Sequence, residues 1–120
     1  MPKVTLTSLK LQRDFDFFKQ SARKVVSKFF VIIFLKKSLL TQTSFPSDLL
    51  YAIKVTKKIG CAAVRNKIKR RIRHILKITS LDLSNMNDLA YIIIARSNKI
   101  ASLDFIQISE DFSFAAKKCL

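Results

Sequence analysis

KKIGCAAVRNKIKRRIRHILK, running from Lys57 to Lys77, holds nine Lys or Arg in twenty-one residues and no acid. From Ala62 onward its period is helical: Val64, Ile68, Ile72, Ile75 and Leu76 recur on one face. Arg65, Lys69, Arg73 and Lys77 run parallel to them at i, i+4, i+8 and i+12, and Lys67 and Arg70 extend the charge around the far side. The spacing predicts a helix over 62–78, with one face on a core and the other presenting cations to solvent. Like charges at i, i+4 destabilise a helix by roughly 0.2–0.5 kcal/mol per pair. The stripe therefore does not serve helix stability, and a partner's phosphates would relieve its repulsion.

Outward from this helix, Leu49–Thr56 reads as a strand that ends in the basic block, and 25–35, rich in Val, Ile and Phe, reads as an earlier strand. RDFDFFK (13–19) suggests a short opening helix, and 36–48, with Pro46, is a connection. On the far side, 80–88 is a polar loop and LAYIIIA (89–95) a nearly continuous apolar strand. Ser102 is placed to cap a final helix, with Phe105, Ile108, Phe112 and Ala115 along one face. The expected order is α-β-β-α-β-α, an α+β fold with helices packed on a small sheet. With no repeats, low-complexity tracts or linkers, residues 1–120 form one domain.

Composition excludes several functions. The only glycine, Gly60, rules out Gly-rich phosphate loops, and two cysteines, Cys61 and Cys119, make neither a disulfide framework nor a zinc spacing. A reducing cytoplasm is expected. The N-terminus lacks the continuous apolar core of a signal peptide, and the longest apolar run, FFVIIFL, is far below the ~20 residues of a membrane helix. The net charge of +15 is unevenly placed: residues 1–77 carry nineteen Lys or Arg against three Asp, and 78–120 carry four against five acids. That asymmetry favours a polyanionic partner, nucleic acid ahead of an acidic membrane, because the basic helix keeps its apolar stripe for the core.

No residues converge as a catalytic or metal site. His74, the single histidine, is expected to be a bystander, and Asp14 and Asp16 read as helix-start acids complementing the dipole, with metal binding as the alternative. Cys61 reads as a small helix-start residue whose neighbouring cations can lower its pKa. Phe17, Phe29 and Phe34 are expected in the core. For Phe15 and Phe18, core and cleft both remain open.

The block resembles the signature of the protein subunit of bacterial ribonuclease P, roughly K-[IV]-G-N-A-V-x-R-N-R-x-K-R-x-x-R. Here it stands as Lys58, Ile59, Gly60, Cys61, Ala62, Ala63, Val64, Arg65, Asn66, Lys67, Ile68, Lys69, Arg70, Arg71, Ile72 and Arg73. RDFDFF resembles the family's opening helix, FFVIIF its first strand and DLAYIIIAR its last, so the resemblance spans about 9–118. Cys61 stands where the family has Asn, Lys67 where it has Arg, and Phe15 and Phe18 are three apart where the family often has two Phe four apart. The resemblance implies a mixed sheet with a left-handed βαβ crossover. It implies a protein that assists a catalytic RNA in removing the 5′ leader of precursor tRNA, the RNA carrying the active site and its Mg2+. It assigns Lys58, Arg65, Asn66, Lys67, Lys69, Arg70 and Arg73 to the catalytic RNA, and Phe15, Phe18 and Phe30 to a cleft for the single-stranded leader. No catalytic residue, small-molecule substrate or membrane partner is implied. The other classes that basic charge allows are a DNA-binding module, which the strand ahead of the helix disfavours, and a structural RNA-assembly protein, which the signature disfavours.

Overall fold

A computed structural model describes residues 5–8, 12–36, 48–82 and 89–119, and of these 5–8, 12–15, 21, 48 and 80–82 by backbone alone. Along the chain come β1 (Thr5–Ser8), α1 (Gln12–Ser21), β2 (Arg23–Val26), β3 (Phe30–Lys36), β4 (Asp48–Lys54), α2 (Ala62–Asp82), β5 (Leu89–Ala95) and α3 (Phe105–Cys119). Short 3-10 turns at Lys57–Ile59 and Asn98–Ala101 precede α2 and α3. The strands form one sheet in the order β1-β4-β5-β3-β2. β4 runs parallel to β1 and β5, while β3 is antiparallel to β5 and β2. Parallel neighbours need a crossover, and α2 supplies it between β4 and β5. The expected α+β fold on a mixed sheet is what the chain adopts.

Register sorts the side chains onto two faces. Phe30, Ile32 and Phe34 of β3 pair with Ala95, Ile93 and Tyr91 of β5, and Tyr91 and Ile93 in turn with Tyr51 and Ile53 of β4. This face packs against Ile68, Ile72, Ile75 and Leu76 of α2 and Ile108, Phe112, Ala115 and Ala116 of α3, forming the main core. Phe30 meets Phe112 edge to face at 5.3 Å, a favourable arrangement for aromatic quadrupoles. On the opposite face Leu35, Ala90 and Leu50 form a smaller cluster under Phe18 of α1. A period of two sends alternate residues to opposite faces, so the near-continuous apolar runs of β3 and β5 belong to strands that bury side chains on both.

Three expectations about the elements are corrected. The single strand over 25–35 is two strands, β2 and β3, joined by a turn at Ser27–Phe29. The turn is held from outside. The Asp111 carboxylate of α3 accepts from Ser27 Oγ at 2.7 Å, the Phe29 N–H at 3.0 Å and the Lys28 N–H at 3.3 Å. An Arg96 guanidinium N–H donates to the Ser27 carbonyl. Second, β1 adds an edge strand, giving β-α-β-β-β-α-β-α in place of α-β-β-α-β-α. Third, Ser102 closes the 3-10 turn instead of capping α3, which starts at Phe105. The expected loop over 80–88 begins only after α2 ends at Asp82, and 83–88, like the connection over 37–47, lies outside the described residues.

Candidate nucleic-acid interface

α2 starts where the chain leaves β4 through Gly60. A Cβ there would stand 3.1 Å from Val64 Cγ1, so the missing side chain lets the first turn of α2 close against the junction. The Cys61 carbonyl accepts from the Arg65 N–H at 3.0 Å, which puts Cys61 at the N-cap. Its thiol is held below the ordinary value, first by the Val64 N–H, then by the Ala63 N–H and, more weakly, by the Arg65 charge, with desolvation opposing. Asn is among the strongest N-caps. Cys61 thus meets the same amide donors that an Asn at this position would meet.

From this start the apolar stripe is buried as expected, with Ile68, Ile72, Ile75 and Leu76 fully inaccessible. Lys58, Asn66, Lys67, Arg70 and Arg73 are exposed, and Arg65 and Lys69 are half-buried along the edge of the same surface. The seven signature residues therefore lie around the outer half of α2 and on the turn before it. Arg65 Nε is buried with no hydrogen-bond partner among the described residues. Arg71 is different: its guanidinium donates to the carbonyls of Ile100 at 2.9 Å and Leu103 at 2.7 Å. It fixes the connection ahead of α3, a role its position in the basic run gave no sign of.

The second surface lies across the sheet. A cleft of about 460 Å3 opens between α1 and the sheet, lined by Phe18, Lys19, Ile33, Ala52, Ile53, Lys54, Ile92 and Ile94. Its floor is a cross-strand row, Ile33 paired with Ile92 and Ile92 with Ala52, all half-buried. Lys19 and Lys54 are exposed at its rim. Phe18, only 3% exposed, closes the deep end and belongs to the small core as well.

Phe30 is a correction. It points to the α2–α3 face, fully buried against Phe112, so a cleft beside α1 cannot include it; Ile33, three residues on and on the other face, takes that place. The Phe15 side chain lies outside the described residues, as does that of Asp14, while Asp16 is exposed. Ile33, Ala52 and Ile92 went unrecognised in the sequence because only strand register reveals which half of an apolar run faces α1.

Among the described residues no three His, Cys, Asp or Glu side chains gather as a metal-ligand set, and no helix is long and apolar enough to cross a membrane. The class is thereby defined: a small α+β domain whose chemistry is a cationic helix on one face of a sheet and a lysine-rimmed apolar cleft on the other. The chain belongs to the Ribonuclease P family, whose model matches residues 5–120. It is 34% identical over 111 residues to the ribonuclease P protein component of Rickettsia bellii (strain RML369-C), covering 92% of this chain and 91% of that one. The RNase P protein of Staphylococcus aureus superposes with a TM-score of 0.72 at 26% identity, over 93% of this chain and 94% of that one. The RNase P protein of Thermotoga maritima shares the fold with a TM-score of 0.76 at 24% identity, over 93% and 96%.

Proposed function

We propose that this chain is the protein component of a ribonucleoprotein endoribonuclease that removes the 5′ leader from precursor tRNA in the cytoplasm. In this reading the turn before α2, through Lys58, and α2, through Arg65, Asn66, Lys67, Lys69, Arg70 and Arg73, bind the catalytic RNA, and the α1 cleft receives the single-stranded leader. Phosphate neutralisation is independent of sequence and suits a large structured RNA. An apolar floor with a cationic rim suits leaders of varied sequence, since bases pack on apolar and aromatic surface whatever their identity.

The observation that carries this is the solvent face of α2, acid-free from Ala62 to Leu81 and lined by the exposed Asn66, Lys67, Arg70 and Arg73. In this reading the RNA carries the catalytic centre and its Mg2+, as the family resemblance implies; among the described residues no three His, Cys, Asp or Glu side chains gather as metal ligands. What the protein's residues do is hold and orient. Lys and Arg position the RNA subunit, and Phe18, Ile33 and Ile92, with Lys19 and Lys54, keep the leader aligned.

The test is reconstitution with ribonuclease P RNA, Mg2+ and precursor tRNAs bearing leaders of one or of several nucleotides. The protein alone is expected not to cleave, and the holoenzyme is expected to gain more with the longer leader. Equal benefit for both leaders would remove the cleft's assignment, and RNA-free cleavage after rigorous nuclease controls would overturn the division of labour.

A further inference from the structure

The signature ends at Arg73, but α2 continues through His74 and Lys77 and there meets the start of α3. Arg70, Arg71, Arg73, His74 and Lys77 of α2 and Phe105 of α3 line an open surface pocket of about 460 Å3. Arg71 is committed to the Ile100 and Leu103 carbonyls and so holds the pocket's wall in place. His74, which is exposed, meets the Phe105 ring at 5.2 Å between centroids with the planes 63° apart. Phe105 is half-buried, its inner side packed against the main core. Among the described residues no acid lines the pocket. Cations around two aromatic rings are the pair of chemistries that hold one nucleotide, the phosphate by charge and the base by stacking.

We infer that this pocket takes one unpaired nucleotide of the RNA subunit, its base against His74 and Phe105 and its phosphate among Arg70, Arg73 and Lys77. The inference rests on the reading that α2 binds the RNA subunit, and it adds a base contact to a surface otherwise made of phosphate contacts. The source of the nucleotide follows from position. α2 and α3 cover the sheet face opposite α1, so a leader in the α1 cleft lies across the sheet from this pocket, while the pocket continues the α2 surface. The nucleotide is unpaired because bases within an A-form helix are already stacked, and only a splayed base presents a face to protein rings.

The test uses the full chain assembled with its RNA subunit, measuring affinity across salt concentrations together with base and 2′-hydroxyl reactivity at each RNA nucleotide. The double variant His74→Ala, Phe105→Leu is expected to weaken RNA-subunit binding by roughly 5- to 150-fold, the loss of one stacked base. Its salt slope should stay unchanged, and one nucleotide of the RNA subunit should become newly reactive. Arg70→Ala and Arg73→Ala should each lower the slope by about 1. Unchanged affinity in the double variant, or weakened affinity with no nucleotide unmasked, would overturn the pocket's assignment. If Phe105→Leu lowers the melting temperature, His74→Ala alone, at an exposed position, decides by the same readouts. Failure of the parent reading looks different: Arg65→Ala and Lys67→Ala would then leave RNA binding intact.

Discussion

Arg65→Met should move two properties in opposite directions. In the free protein the Arg65 Nε is buried with no acceptor among the described residues, and a buried unsatisfied donor costs about 1–3 kcal/mol. Lys69, one turn on, adds a like-charge repulsion of roughly 0.2–0.5 kcal/mol. Met keeps the aliphatic stem in place and removes both penalties. Because Arg65 is only half-buried, the low end applies, and the free protein should gain about 1 kcal/mol. For a domain of this size that raises the melting temperature by about 4 °C. Binding to the RNA subunit should weaken at the same time. Loss of one phosphate contact lowers the salt slope by about 0.9, so the affinity difference between the two proteins changes by about 3.5-fold between 50 and 200 mM salt. Thermal melting of the free protein and RNA titrations at several salt concentrations read the two effects separately. A lower melting temperature in Arg65→Met would refute the reasoning, since the guanidinium would then be anchored within the protein and not held ready for a partner.

Asp111→Ala should reduce stability by about 3 kcal/mol in urea denaturation, because three donors of the β2–β3 turn lose a charged acceptor; a loss under 1 kcal/mol would mean the turn holds itself. Phe30→Ala should cost about 3–5 kcal/mol as a core cavity, yet any protein that remains folded should still favour the longer leader, whereas Ile92→Ala should blunt that preference with a smaller loss of stability. Cys61, exposed and with its thiol held low by the α2 amides, should be alkylated at a lower pH than a thiol in an unstructured peptide. Cys119, buried and pushed up to about 12, should react only on unfolding, and equal labelling of both in the native protein would contradict this placement. Cys61→Asn should retain assembly and match or exceed the parent's stability, as a stronger cap over the same amides; loss of assembly would show that the thiol makes a contact of its own.

Some features were legible in the sequence because their causes are local. The α2 stripe is a matter of spacing along one helix, and Ile68, Ile72, Ile75 and Leu76 are buried where the period put them. The strand over 89–95 is bounded by composition, and the cationic surface follows from charge that no neighbouring acid offsets. The signature around Gly60 carried the family. What the tertiary structure alone decided depends on residues far apart in the chain. The break between β2 and β3 needs Asp111, more than eighty residues away, and a run of Val, Ile and Phe cannot announce an acceptor on a distant helix. Phe30 and Ile33 belong to the same apolar strand, and only pairing with β5 and the positions of α1 and α2 send one to the core and the other to the cleft. Arg71 looks like its cationic neighbours until two backbone carbonyls, at Ile100 and Leu103, come within its reach. A linear pattern states which side chains are apolar or charged; which face of a sheet they occupy, and which charge turns inward, is fixed by register and by the partners that folding brings.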